Sequence, residues 1–303
     1  MTEQVPLDPA ARAAEAPTDD GTHQVAPDLA YRRLVMVNVA FVDAPSAGDG
    51  SWVLVDAGLP RTRQLIESAA AARFGDGARP AAILLTHGHF DHVGALEELA
   101  TAWDVPVFAH ALEHPYLDGS AGYPPGDPEV GGGLMARLAK LYPTAPVDVG
   151  DRLRPLPDDG SVPFLPGWCW LHTPGHSPGH VSFWREADRT LLSGDAVITT
   201  AQESAYATAV QAPEMHGPPR YFTVDWDAAR RSAQDLAALH PALLVPGHGR
   251  AMQGPAMDAA LQTLARDFDN VAAPKQGRYL DAPARAADGT AYRFHDRSGS
   301  GTA

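Results

Sequence analysis

The chain has 303 residues, of which 45% are hydrophobic, and its 23 basic and 37 acidic side chains give a formal net charge of −14 at pH 7. This length allows a large core, while the negative charge disfavours binding to nucleic acid or to an anionic membrane surface. The single cysteine excludes an internal disulfide framework, and no apolar run is long enough to predict a membrane span. We expect a cytoplasmic protein, a monomer or a homo-oligomer, without nucleic-acid or membrane partners.

The two ends of the chain differ in composition from its middle. Residues 1–29 are acidic and rich in proline and alanine, and they lack the basic start and continuous apolar stretch of a secretory signal. Residues 277–303 are polar and include Ser298-Gly299-Ser300-Gly301, which is typical of a linker. We predict flexible N-terminal and C-terminal arms around one folded domain at residues 30–276.

Strand and helix patterns alternate along the first half of this domain. The segments 34–42 and 52–55 are apolar, rich in β-branched residues and joined by a small polar stretch, which predicts a β-hairpin. The segment 61–74 has apolar residues at helical spacing, and 81–86 is typical of a buried strand. Val93, Leu96, Leu99 and Trp103 then have helical spacing, which predicts a second helix with Asp91 as its N-cap.

The middle of the chain is irregular before regular patterns return. Residues 115–166 are dense in proline and glycine, interrupted by a short predicted helix at 133–141, and such a stretch inside a domain is typical of a lid over a binding site. A second irregular stretch covers residues 202–225. The further predicted strands are 168–172, 181–184, 190–193 and 243–245, and the further predicted helices are 227–239 and 255–271. This alternation predicts an α/β domain with lid loops.

Histidine and aspartate cluster in four short segments near the ends of predicted strands. The segments are His87-Gly88-His89-Phe90-Asp91-His92, Pro174-Gly175-His176, Ser193-Gly194-Asp195 and Pro246-Gly247-His248. Imidazole and carboxylate groups are the ligands that a pair of divalent metal ions requires. Because His87 and His89 are two residues apart at a strand end, their side chains leave extended backbone on the same side and can bind one ion.

The run His-x-His-x-Asp-His, with a later Gly-His, a Gly-Asp and a final Gly-His-Gly, resembles the metallo-β-lactamase superfamily, as does Val55-Asp56-Ala57-Gly58. The resemblance covers residues 34–271 and implies a four-layer αβ/βα sandwich in a single domain, with two metal ions at one edge. The metal ligands that it implies are His87, His89 and His176 for the first ion, Asp91, His92 and His248 for the second, and Asp195 between the two. Zinc is the expected metal, with iron or manganese as alternatives.

Other residues are expected to support this centre or to contact the substrate. Asp56 is expected to hold the ligand loop through backbone N–H groups, and His180 to orient Asp195 or His176, since metal ligands need such partners. Apolar and aromatic residues after position 205 would suit an apolar or amphipathic ligand, with surface packing as the alternative. The candidate substrate contacts are Tyr206, Met215, His216, Tyr221 and Phe222. Arg220 could bind an anionic group of the substrate or be an ordinary exposed arginine.

The implied centre also indicates a reaction. Two metal ions that share a water molecule lower its pKa towards neutrality, so that hydroxide forms at working pH. We predict that this hydroxide attacks a carboxylic ester, a lactone or a related acyl compound, while Asp91 orients the water and carries its proton to the leaving group. The sequence therefore predicts a dinuclear metal-dependent hydrolase with a small-molecule substrate.

Departures from the better-known members of the superfamily leave several substrates open. β-Lactamases of this fold usually have cysteine at the position of Asp195, and lactone-cleaving relatives commonly have tyrosine at the position of Ile198. Glyoxalase II relatives bind glutathione with basic residues, whereas this chain has only two lysines, Lys140 and Lys275. This small number disfavours that thioesterase. A β-lactam or thioester hydrolase is the alternative within the fold. A nuclease or phosphoesterase, which the acidic charge disfavours, and a non-catalytic metal-binding protein are the alternatives from other classes.

Overall fold

The computed structural model describes residues 5–7, 11–12, 16–18, 21–43, 47–131, 133–204 and 213–294. Among these residues, the strands form an eight-stranded sheet, a five-stranded sheet and two small two-stranded sheets. The strands are β1 (Val5–Pro6), β2 (Ala16–Pro17), β3 (His23–Ala26), β4 (Leu29–Leu34), β5 (Val37–Val42), β6 (Val53–Val55), β7 (Ala82–Leu84), β8 (Val107–Ala109), β9 (Ala121–Gly122), β10 (Leu153–Pro155), β11 (Trp168–His172), β12 (Val181–Arg185), β13 (Thr190–Gly194), β14 (Glu214–Met215), β15 (Leu243–Pro246), β16 (Met252–Gln253) and β17 (Arg293–Phe294).

Helices connect the strands and cover the outer faces of the two large sheets. The α-helices are α1 (Arg63–Phe74), α2 (Leu96–Trp103), α3 (His114–Leu117), α4 (Leu134–Arg137), α5 (Trp226–Ala238), α6 (Gly254–Arg266), α7 (Phe268–Val271) and α8 (Arg278–Asp281). Short 3₁₀ helices lie at Ala111–Glu113, Pro128–Val130, Ala139–Leu141 and Gly150–Arg152. None of the helices in the described ranges is long and apolar enough to cross a membrane.

The order of the strands brings several strand ends to one edge. The larger sheet has the order β10-β8-β7-β6-β5-β4-β3-β2, and the smaller sheet has the order β11-β12-β13-β15-β16. Strands β6, β7, β8 and β10 are parallel, as are β13 and β15 in the other sheet. The carboxyl ends of parallel strands lie at the same edge of a sheet, which is where α/β proteins place ligands.

Three apolar clusters hold the layers together. The first packs the outer face of the larger sheet against α1 and α2, and in it Trp52 and Phe74 stack with ring centroids 4.4 Å apart. The second, which includes Phe183, fills the space between the two sheets. The third packs the smaller sheet against α5 and α6 through residues such as Leu236 and Leu261. The order of layers is helix, sheet, sheet, helix, so the predicted αβ/βα sandwich is confirmed.

Two local predictions at the larger sheet were wrong. The segment 34–42 is not one strand, because β4 ends at Leu34 and a tight turn at Val35, with φ of 63°, leads into β5. The turn residues Val35 and Met36 are themselves apolar, so hydrophobicity did not mark the turn between the two strands. Asp91 does not cap α2, since that helix begins at Leu96 after Ala95 and Asp91 lies in the preceding turn.

Part of the predicted N-terminal arm, residues 1–29, is integrated into the sheets. Strand β3 pairs with β4 inside the larger sheet, and β1 pairs with β14, which places Val5 opposite Met215. Leu7 is 5% exposed and belongs to the core around α5 and α6. These strands are two to four residues long, which is too short to produce a recognisable period in the sequence.

Part of the predicted C-terminal tail, residues 277–303, is also packed on the domain. Tyr279 in α8 is 7% exposed, and its hydroxyl donates a hydrogen bond of 2.7 Å to the carbonyl of Pro125. Further along, β17 pairs with β9. The apolar residues that make these contacts are isolated among polar ones, and composition therefore indicated a free tail.

Tyr279→Ala should lower the free energy of unfolding by about 3 kcal/mol, because a buried aromatic ring and its hydrogen bond are lost. Urea denaturation of the variant and of the parent chain measures this difference. The matched control is Leu280→Ala at the next residue, which is 36% exposed and should cost less than about 1 kcal/mol. Equal losses in the two variants would contradict the packing of α8 on the domain.

Candidate metal centre

The histidine and aspartate segments lie where strands of the two large sheets end. Residues 87–92 follow β7 of the larger sheet, His176 lies between β11 and β12 of the smaller sheet, and Asp195 and His248 follow β13 and β15. The seven side chains predicted to bind metal are at most 7% exposed, and they are His87, His89, Asp91, His92, His176, Asp195 and His248. The fold thus gathers all seven at one buried edge of the sandwich.

These side chains form three overlapping groups, in each of which one potential ligand atom per residue lies within 4.8 Å of the others. The groups are His87 with His89 and His176, Asp91 with His92 and His248, and His87 with His92 and Asp195. The first two groups are the two ligand sets that the family resemblance implies. The third group connects them.

Asp195 occupies the space between the two sets. Its Oδ2 atom is 3.3 Å from Nε2 of His176 and 3.1 Å from Nε2 of His248, while its Oδ1 atom is 3.4 Å from Nε2 of His92. One carboxylate therefore faces histidines from both sets. A carboxylate with this placement can be shared by two cations.

The donor atoms fit divalent cations. Within the described residues, Nε2 of His87, Nε2 of His92 and Oδ1 of Asp195 are buried and have no hydrogen-bond partner, an arrangement that costs roughly 1–3 kcal/mol per atom unless something else binds there. Burial also lowers the pKa of His87 and of His89 well below the ordinary imidazole value. Both imidazoles are therefore neutral at physiological pH and have lone pairs available for a metal.

The second ring nitrogen of each of two ligand histidines is held by an acceptor. Nδ1 of His92 is 2.8 Å from Oδ2 of Asp56, and Nδ1 of His248 is 2.6 Å from the carbonyl oxygen of Met36. An acceptor at Nδ1 keeps the proton on that nitrogen, so Nε2, which faces the cluster, is the nitrogen that would bind a metal ion.

Asp56 and His180 each contact a loop that contains predicted metal ligands. The carboxylate of Asp56 accepts hydrogen bonds of 2.8 Å from the backbone N–H and from the hydroxyl of Thr86, next to the first histidine. Nε2 of His180 accepts a 2.9 Å hydrogen bond from the backbone N–H of Asp195. His180 therefore orients Asp195 through its backbone, whereas Asp56 holds both a ligand loop and a ligand ring.

Two glycines beside the ligands allow a close approach of the backbone. A Cβ atom at Gly247 would lie 2.2 Å from Oδ1 of Asp195, and one at Gly194 would lie 2.6 Å from Nε2 of His180. Gly194 also has φ of 52°, a conformation that glycine adopts without strain. Any larger residue at either position would displace Asp195 or its partner.

Asn38 in β5 was not identified from the sequence, although it holds the loop that contains His248. Its backbone N–H donates to the carbonyl of Gly247 at 2.7 Å, and its side-chain amide donates to the carbonyls of Pro246 and Gly249, both at 2.8 Å. The three acceptors flank the histidine. The signal that could have identified it is a single polar residue in an otherwise apolar strand.

Two of the predicted substrate contacts lie beside the cluster. The ring of Phe222 stacks on His89 with centroids 4.8 Å apart. Tyr221 and Phe222 are buried in one apolar cluster, to which Ala136 of α4, in the predicted lid, also belongs. Burial, and then the negative charge of Asp91, raise the pKa of Tyr221 well above its ordinary value. Tyr221 and Phe222 therefore form an aromatic wall next to residues 87–92.

The remaining predicted substrate contacts are corrected or not tested. Met215 is fully buried in the core beside α6 because β14 pairs with β1, so its side chain packs in the core instead. His216 is 1% exposed, with Nε2 3.4 Å from Oε2 of Glu203, and Arg220 is 6% exposed and donates to the backbone carbonyls of Val271 and Ala272. The hydrophobicity of this stretch therefore reflects packing in the core. Tyr206 lies outside the described residues.

The comparisons with known proteins agree with this geometry. Residues 32–248 match the family model described as the metallo-beta-lactamase superfamily. The chain is 46% identical over 236 residues to probable metallo-hydrolase YflN of Bacillus subtilis, which covers 78% of this chain and 89% of that protein. It is 34% identical over 202 residues to probable metallo-hydrolase YybB of the same organism, which covers 67% and 77%. A beta-lactamase domain protein from Burkholderia ambifaria has a similar fold, with a TM-score of 0.59 and 21% identity over 87% of this chain and 76% of that chain.

Asn38→Ala should lower the free energy of unfolding of the metal-free protein by about 2 kcal/mol, because two buried carbonyl groups lose their donor. Denaturant titration in the presence of a chelator measures the loss. Asn270→Ala is the control, since Asn270 is exposed and its replacement should change stability by less than about 0.5 kcal/mol. If the two variants were equally stable, the loop around His248 would not depend on Asn38.

Proposed function

The chain belongs to the metallo-β-lactamase superfamily, and we propose that this metal-dependent hydrolase cleaves a neutral, apolar carboxylic ester, lactone or related acyl compound. The observation that supports the proposal is the placement of one carboxylate, Asp195, between two sets of buried donors, next to an aromatic wall. Zinc is the proposed metal, with iron or manganese as alternatives.

The proposed ligand sets follow the groups in the structure. His87, His89 and His176 would hold one ion, and Asp91, His92 and His248 would hold the other, with Asp195 shared between them. When bound, the ions supply an activated water and polarise the carbonyl group of the substrate. The protein contributes the spacing of the donors and a site from which bulk water is largely excluded.

Asp91 is the proposed proton carrier. It is 7% exposed, and its Oδ2 atom is 3.5 Å from Nε2 of His248. Burial raises the pKa of Asp91 above the ordinary aspartate value in the metal-free chain, whereas a bound cation would lower it. One carboxylate oxygen of Asp91 would accept the proton of the attacking water, and the same oxygen would deliver it to the leaving group.

The aromatic wall supports an apolar substrate. Phe222 lies 6.2 Å from Phe90 between ring centroids, and Phe90 stacks on Tyr142 at 5.7 Å. The arginine nearest in sequence to this wall, Arg220, donates its guanidinium hydrogen bonds to backbone carbonyls and is not oriented for an anion. The whole chain has a net charge of −14, which provides no long-range attraction for an anionic substrate.

Metal dependence and substrate class can be tested together. The purified protein should contain about two equivalents of divalent metal, and exhaustive chelation should abolish hydrolysis of aryl esters and aliphatic lactones until zinc, manganese or iron is returned. Metal analysis and a hydrolysis panel of esters, lactones, thioesters, β-lactams and phosphodiesters provide the measurements. Full activity after chelation would contradict a metal mechanism, and activity on phosphodiesters alone would favour a nuclease instead.

Asp91→Ala should lower kcat by about 100-fold or more and change KM much less, because proton transfer is lost while the aromatic wall is unchanged. Steady-state kinetics on the best substrate of the panel measure both constants. The metal content of the variant is measured in parallel, since Asp91 also belongs to a ligand set. A variant with an unchanged kcat would show that Asp91 does not carry the proton.

A further inference from the structure

Glu113 is a buried carboxylate that the proposed reaction does not use. It ends the 3₁₀ helix Ala111–Glu113, immediately before α3, and its side chain is 0% exposed. Burying a carboxylate is unfavourable unless it accepts hydrogen bonds that replace those of water. Burial raises the pKa of Glu113, and hydrogen bonds from Tyr123 and Ser177 oppose that shift.

Three of the four hydrogen-bond donors to Glu113 lie in the two loops that contain the first set of histidines, and the fourth is Tyr123. Its Oε1 atom accepts from the hydroxyl of Ser177 at 2.9 Å and from the backbone N–H of Gly179 at 2.7 Å. Its Oε2 atom accepts from the backbone N–H of Gly88 at 3.0 Å and from the hydroxyl of Tyr123. Gly88 lies between His87 and His89 in the chain, and Ser177 directly follows His176.

The two loops belong to different sheets, so nothing in the strand pairing of one sheet fixes the position of the other loop. The loop of residues 87–92 follows β7, whereas Ser177 and Gly179 lie in the connection from β11 to β12. Glu113 binds each loop with one carboxylate oxygen. Together with the 2.9 Å backbone hydrogen bond from Val181 to Thr86, it therefore helps to set how far His176 lies from His87 and His89.

Tyr123 strengthens the same connection. Its hydroxyl donates to Glu113 and accepts from the backbone N–H of Gly88 at 2.9 Å. Its ring lies against His89, with centroids 4.2 Å apart. Replacing Glu113 would therefore shift His89 in two ways, through the backbone of Gly88 and through the ring of Tyr123.

The second set of histidines is held by other groups. His92 is held by Asp56, and His248 is held by the carbonyl of Met36 and by the contacts of Asn38. Within the part of the chain that the structure describes, Glu113 makes no hydrogen bond to these residues. Loss of the Glu113 carboxylate should therefore affect one metal ion far more than the other.

We propose that Glu113 is a positioning residue that fixes the spacing of His87, His89 and His176, and thereby sets the affinity of the metal ion that these histidines bind. The inference rests on the proposed function, because it requires that the cluster binds two ions. Glu113 itself would contact neither the substrate nor a metal ion.

The test is Glu113→Gln, which keeps the size of the side chain but replaces one acceptor oxygen by a donor. The affinity for one of the two zinc equivalents should fall by about 10- to 100-fold, the range found when partners of metal ligands are replaced. The other equivalent should bind as in the parent chain. Competition with a chromophoric chelator, without substrate, measures both affinities. Glu98→Gln, at an exposed glutamate, is the matched control and should leave both unchanged.

Two milder variants keep the proposal testable if Glu113→Gln does not fold. Ser177→Ala and Tyr123→Phe each remove one donor and leave the carboxylate in place, so each should weaken the same zinc equivalent by less than Glu113→Gln. Equal weakening of both equivalents, or a loss of folding stability with unchanged zinc affinities, would overturn the proposal. A parent chain that binds no zinc would instead contradict the proposed function.

Discussion

The burial of the predicted metal ligands is the constraint on which the rest of the structure depends. Five imidazoles and two carboxylates lie together at an edge of the sandwich with little exposure to solvent, although such groups are costly to remove from water. The structure reduces this cost by giving the outer atoms of these residues protein partners, such as Asp56 for His92 and Met36 for His248. The inner atoms are left facing one another, which is the state that a cation stabilises.

This constraint explains why two sheets are needed. A single sheet end could present the segment 87–92, but the remaining ligands come from β11, β13 and β15 of the other sheet. Residues that tie the sheets together near the edge therefore act on the site as well as on stability. Asn38 does so from a strand of the larger sheet, by binding carbonyls next to His248 in the smaller one.

The sequence predicted that these histidines and aspartates cluster, because they are concentrated in short motifs whose order is characteristic. The layer order also followed from the family resemblance. Asn38 and Glu113 could not be found in this way, since each is a single polar residue outside any motif and acts through contacts distant in sequence. Met215 was wrongly predicted to contact the substrate, because hydrophobicity does not distinguish a core residue from one that lines a binding site. Parts of the two predicted arms pack on the domain through isolated apolar residues such as Leu7 and Tyr279, whose partners lie far away in the sequence and are not indicated by composition.

The packing of the C-terminal segment links the last helix to the metal centre. The hydroxyl of Tyr279 binds the carbonyl of Pro125, and the backbone N–H of Arg278 binds Asp127 at 2.6 Å, so this segment anchors the stretch that also contains Tyr123. Removal of the chain from Arg278 onwards, by a protease or a premature stop codon, would consequently free the segment around Tyr123 and weaken the packing of that ring on His89.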